Sequence, residues 1–144
     1  MFTGEYTHTL DDKRRISVPS AFRGELDGEA VLTRGLDNCI FMFPQSSWED
    51  IARKLSDLSF GDADSRGLNR FLLSGAREVS LDSSGRILVP DFLADFADLD
   101  ETAVFAGVNT RIELWDKDRW DDYTEDVESQ ADLLAQTLGD VGML

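Results

Sequence analysis

The string LDDKRRISVP, starting at Leu10, returns as LDSSGRILVP starting at Leu81. Six of its ten positions match in register: Leu10/Leu81, Asp11/Asp82, Arg15/Arg86, Ile16/Ile87, Val18/Val89 and Pro19/Pro90. Usage below about one in ten per residue type predicts roughly one such match or fewer. Upstream, the same spacing pairs Phe2 with Leu73, Thr3 with Ser74 and Gly4 with Gly75. Downstream, AVLTRGLDNCIFMFPQSSW from Ala30 matches AVFAGVNTRIELWDKDRW from Ala103, and a one-residue deletion aligns Gly35, Ile40 and Trp48 with Gly107, Ile112 and Trp120. Most of the chain is therefore a tandem duplication, a feature that decides architecture before local propensity does. A half of about 70 residues buries too little apolar surface to be stable alone, so the duplication predicts two halves around one shared core.

Within each half the pattern predicts two hairpins around a short helix. FTGEYTHTL alternates, with Phe2, Tyr6, His8 and Leu10 on one face and threonines with Glu5 on the other, which reads as a strand. His8 is then a strand-packing residue, the counterpart of Val79. Residues 11–14 form a tight turn, 15–18 return as a strand, and Pro19 is placed to start the short helix PSAFR. The second half repeats this with EVSL, DSSG, RILV and PDFLADF, and each half adds a further hairpin, AVLT to CIFMF and AVFAG to RIELW. Amphipathic helices close the halves. In SSWEDIARKLSDL, Ser46 and Glu49 have capping-box spacing, and in WDDYTEDVESQADLLAQTL the apolar stripe is Trp120, Tyr123, Val127, Ala131, Leu134 and Leu138, a core or subunit contact. The predicted organisation is residues 1–60 and 73–128 as repeats with their closing helices, 61–72 as a linker and short helix, and 129–144 as an acidic helix end or tail.

Charge is lopsided: residues 1–90 carry 11 basic and 14 acidic side chains (net −3), and residues 91–144 carry 3 and 15 (net −12). Such a body repels nucleic acid at long range, but screening over about 8 Å leaves a local basic patch free to act. No apolar run approaches a membrane span and the start has no signal-peptide pattern, so a soluble, non-exported protein is expected. One cysteine and one histidine leave no internal disulfide, little for a zinc site and no nucleophile and base pair. Cys39 is expected as a small buried strand residue. With no Gly-rich phosphate loop either, an enzyme is the weakest class.

The Asp-x-x-x-Arg turns admit two readings. In one, the aspartate accepts N–H groups of its own turn and the arginine pairs with it across the hairpin neck. In the other, the same aspartate aims an arginine fork outward at phosphate oxygens or the acceptor edge of guanine. Lys13, Arg14 and Arg15 are consecutive and Arg23 follows closely, in a chain otherwise short of cations. The residues alone leave both readings open.

Leu-Asp-x-x-x-Arg-Ile-x-Val-Pro, duplicated about 71 residues apart behind a Met-Phe-x-Gly start, resembles the MraZ family of bacterial regulators, built from two AbrB-like (SpoVT-AbrB) halves. The resemblance implies an α+β fold in which the halves form a swapped-hairpin β-barrel with flanking helices, and chains that assemble into a ring. It implies a sequence-specific double-stranded DNA-binding regulator, cytoplasmic and nucleoid-associated. Such a protein binds direct repeats in the promoter of its own operon, in the division and cell wall gene cluster, as a repressor. Arg15 and Arg86, with Lys13 and Arg14, are the implied DNA-contacting residues; Asp11, Asp82 and Gly85 support the motif. No cofactor, metal, membrane or small-molecule substrate is implied. Where the second turn has Gly85, the first has Arg14, which costs about 1–2 kcal/mol if that position is left-handed. The competing class is an acidic oligomeric protein-interaction module, antitoxin-like or a scaffold, which the net −12 of the last 54 residues suits better.

Overall fold

The computed structural model describes residues 1–143. In chain order the elements are β1 (Glu5–Thr9), β2 (Arg15–Ser17), α1 (Ser20–Leu26), β3 (Glu29–Arg34), β4 (Ile40–Phe43), α2 (Gln45–Ser56), α3 (Ala63–Ser74), β5 (Arg77–Ser80), β6 (Arg86–Leu88), α4 (Asp91–Phe96), β7 (Thr102–Val108), β8 (Arg111–Asp116) and α5 (Lys117–Asp140). The run from β5 to α5 repeats the run from β1 to α2, and α3 joins the copies.

The fold is α+β, and its halves exchange strands. Six strands pair antiparallel in the order β1-β7-β8-β4-β3-β5, and β2 pairs with β6 in a separate ribbon. Thus β1 of the first half lies on β7 of the second, and β5 of the second lies on β3 of the first. At the centre, β4 meets β8 with Ile40 opposite Leu114 and Met42 opposite Ile112. The six-stranded ladder ends at β1 and β5, which run on through their turns into the ribbon, β1 into β2 and β5 into β6. Matched backbone bonds mark a pseudo-twofold: Val18 N–H donates to Gly85 O and Val89 N–H to Arg14 O, both at 2.9 Å.

One core serves both halves. Leu32, Ile40 and Met42 pack with Phe105, Ile112 and Leu114, and the ribbon adds Ile16 and Ile87. Ile16 and Ile87 are each 1% exposed, and burying such a side chain is worth about 1.5–3 kcal/mol. They pin the short ribbon to the sheet and leave its alternate residues facing outward.

Several local expectations change. The Ser46/Glu49 capping box does not form: α2 starts at Gln45 with Pro44 as its N-cap, two residues earlier than a Ser46 cap would set it, which places Ser46 inside the first turn. Pro19 and Pro90 are likewise N-caps of α1 and α4, one position before the helices. The segment 61–72, expected as a linker and short helix, is helical already from Ala63, because Asp62 caps α3 by accepting from Ser65 N–H at 3.2 Å and Ser65 Oγ–H at 2.7 Å. Cys39 is buried but precedes β4; its thiol donates to Leu36 O at 3.2 Å, and burial pushes its pKa up. His8 packs edge-on against Phe105 at 5.9 Å, and burial, then the nearby Arg23, lowers its pKa.

The α5 stripe divides in two. Trp120 and Tyr123 pack on Trp115 with ring centres 5.3 and 4.9 Å apart, and Trp120 Nε1–H donates to Glu5 Oε2 at 3.1 Å. Beyond Val127, Leu134 and Leu138 are exposed, together with Leu133.

Candidate nucleic-acid interface

Each hairpin turn is built around one carboxylate. Asp11 Oδ1 accepts from the backbone N–H groups of Lys13 and Arg15, both at 2.9 Å, while Asp11 N–H donates to Arg15 O at 2.9 Å. Asp82 Oδ1 does the same for Ser84 and Arg86, again at 2.9 Å. The other oxygen takes the arginine, with Nε–H of Arg15 at 2.9 Å from Asp11 Oδ2 and Nε–H of Arg86 at 3.0 Å from Asp82 Oδ2. Backbone donation from the paired arginine is the first cause holding both carboxyls below the ordinary carboxylate range. They stay charged as receptors for the guanidiniums.

Anchoring through Nε leaves the rest of each fork unused. Among the described residues, neither Nη of Arg15 or Arg86 has a protein hydrogen-bond partner, and both side chains are 37% exposed. Both readings of the motif therefore meet in one geometry, in which the aspartate pair is structural and leaves two Nη groups per turn without a protein partner among the described residues. The ribbon puts the two arginines on one face, with their turns at its opposite ends. Its register sets Arg15 opposite Leu88 and Ser17 opposite Arg86, so the arginines are diagonal neighbours with Cα atoms about 7–8 Å apart.

The position before each arginine is left-handed, with φ of 60° at Arg14 and 76° at Gly85. Arg14 bears the strain of a Cβ there, and its guanidinium turns back onto α4. Its Nη1–H donates to Asp91 O at 2.8 Å, and its Nη2–H to Asp95 Oδ1 at 3.0 Å. In the second turn the brace runs the other way. Arg23, from α1, donates Nε–H to Val18 O at 2.8 Å and lies over Gly85, where a Cβ would overlap its guanidinium. Positions 14 and 85 correspond in the duplication, as do 23 and 94, where α4 has a buried alanine. One guanidinium thus spans each seam between turn and facing helix, from opposite sides. Arg14 spends both Nη groups on α4, whereas those of Arg23 have no protein hydrogen-bond partner among the described residues.

Of the candidate residues, Arg15, Arg86 and Lys13 face solvent around the ribbon, Asp11 and Asp82 orient the forks, Gly85 is buried beneath Arg23, and Arg14 is engaged within the fold. Sequence reasoning noted Arg23 only as a nearby cation. Its tie to the second turn depends on the exchange between halves, and the one sequence signal was the reciprocal Arg/Gly and Arg/Ala pairing across the repeat.

Strand exchange around a shared core, with two matched arginine turns on one ribbon, defines a class of tandem-repeat α+β proteins. A family model described as "MraZ protein, putative antitoxin-like" matches residues 1–71 and again 72–140. The chain is 46% identical over 140 residues to the "Transcriptional regulator MraZ" of Moorella thermoacetica, covering 97% of this chain and 98% of that protein. It is 45% identical over 143 residues to the protein of the same name from Syntrophomonas wolfei (99% and 100% covered), and 45% over 141 residues to that of Roseiflexus castenholzii (98% and 99%). The chain belongs to the MraZ family.

Proposed function

We propose that this protein is a transcription regulator that reads double-stranded DNA with the β2–β6 ribbon, acting as a repressor at direct repeats in the promoter of its own operon. The observation that carries the reading is the pair of arginines held through Nε by their own aspartates, at diagonal positions on one face of a two-stranded ribbon, with Nη groups that have no protein partner among the described residues. A ribbon of this width enters a major groove, where an arginine fork matches the O6 and N7 acceptors of guanine. Lys13 and Arg23 add phosphate contacts, and Arg14 serves as a brace. The relatives named as transcriptional regulators support the same reading, on which the protein works at the cytoplasmic nucleoid. No helix of the described residues is long and apolar enough to cross a membrane. The test is a gel shift with the protein's own promoter, at controlled salt and against a scrambled competitor.

Arg14→Gly separates brace from contact. The left-handed strain of about 1–2 kcal/mol is relieved, while a half-exposed ion pair worth no more than about 1 kcal/mol is lost. Melting is expected to shift by a few degrees at most, and operator affinity by less than about threefold, well below the effect of losing a base-reading fork. A loss as large as that of Arg15→Ala would return Arg14 to the DNA-contacting set.

The exposed end of α5 supports assembly beyond a dimer into a ring, since Leu133, Leu134 and Leu138 form an apolar stripe left exposed by the described residues. Light scattering at micromolar concentration is expected to give a mass above two chains; a monomer would end this part of the proposal. The acidic α5 also favours a second reading, an interaction module for another protein. In that case the gel shift shows no preference for the promoter over the scrambled duplex.

A further inference from the structure

Leucine 88 is 57% exposed, although the other apolar residues of the ribbon and its flanks, Ile16, Val18, Ile87 and Val89, are exposed by 1% or less. It lies on the outward face, opposite Arg15 in register and two residues from Arg86. The duplication places Ser17 at the equivalent point of β2, so a polar residue is tolerated in this geometry. Lys13 and Ser84 differ in the same way.

The geometry points to Leu88 as a specificity-determining residue of the DNA-reading ribbon, one that packs on the C5-methyl group of a thymine beside the arginine contacts. The inference rests on the DNA-binding reading above and deepens it. The methyl of thymine is the one apolar group on the major-groove edge of the bases, and an apolar side chain opposite one arginine and two residues from the other matches a surface that mixes guanine acceptors with a methyl. Leu88 also gives the ribbon direction. Its twofold-related strands by themselves suit a palindromic site, whereas direct repeats carry polarity. With Leu88 in β6 and Ser84 in the turn before it, against Ser17 in β2 and Lys13 in its turn, the ribbon presents different chemistry to the two ends of its site.

Thymines of the promoter repeats are replaced one at a time by deoxyuridine, which removes only the methyl, and affinity is measured with the full-length chain. The parent protein is expected to lose about fourfold at one thymine position per repeat, the value of one methyl-sized group withdrawn from contact. Leu88→Ser, which copies the first half, is expected to bind with a flat profile at that position and to melt as the parent does. Leu88→Met, which keeps apolar reach, retains the profile. If Leu88→Ser keeps the parent's methyl sensitivity, or the parent has none, the inference falls while DNA binding itself stands. If Leu88→Ser instead changes the mass by light scattering, the leucine is a contact between copies and the inference is overturned. A parent protein that does not bind the promoter removes both this inference and the reading beneath it.

Discussion

Replacing Arg15 or Arg86 with alanine is expected to weaken specific promoter binding by roughly 5- to 150-fold each, the value of one bidentate arginine contact of about 1–3 kcal/mol, and to leave the fold intact. The asymmetry follows from how each side chain is held. Within the chain, each arginine makes one ion pair at a 37% exposed site, and such pairs contribute about 1 kcal/mol or less. The turn does not need the guanidinium, because the aspartate still accepts two backbone N–H groups and the ribbon is still pinned by Ile16 and Ile87. Melting by circular dichroism should therefore move by a few degrees at most. Removing both arginines should bring affinity down to the salt-sensitive, sequence-independent level. Variants that bind as tightly as the parent would show that the turns do not read DNA, and early melting would assign the arginines a structural role.

The larger effect concerns repeat number. One ribbon, on a chain of net charge −15, is expected to make only weak contact with a single repeat. When an assembly holds several ribbons on one face, each later contact becomes intramolecular, and affinity rises by ~10² to 10⁴ without new chemistry. Affinity for two and three repeats in phase is thus expected to exceed that for one by factors of this order. Inserting about half of a ~10.5-base-pair turn between repeats should remove most of the gain, since the next ribbon then faces the wrong side of the duplex. All of these affinities should fall with salt as neutralised phosphates release counterions. Indifference to both number and phase would mean that one chain does the reading alone.

The linear order of residues determined more than secondary structure here. Duplication dictated two halves too small to stand apart, and put Arg15 and Arg86, like Ile16 and Ile87, at equivalent positions of two matching strands. The Asp-x-x-x-Arg spacing specified a turn that closes on its own carboxylate, because all of its bonds run between residues four apart or fewer. Local rules suffice for such features. Tertiary structure decided which strands are neighbours, since a period of two assigns a face and never a partner; the pairing of β1 with β7 and of β5 with β3 comes from burying both halves in one core. That exchange sends Arg14 to α4 and Arg23 to Gly85, residues about 60 to 80 positions away in the chain. It also sets Leu88 directly opposite Arg15. In the sequence Arg14 and Arg15 are adjacent cations of the same kind, and only the left-handed backbone of one and the outward register of the other separate a brace from a fork.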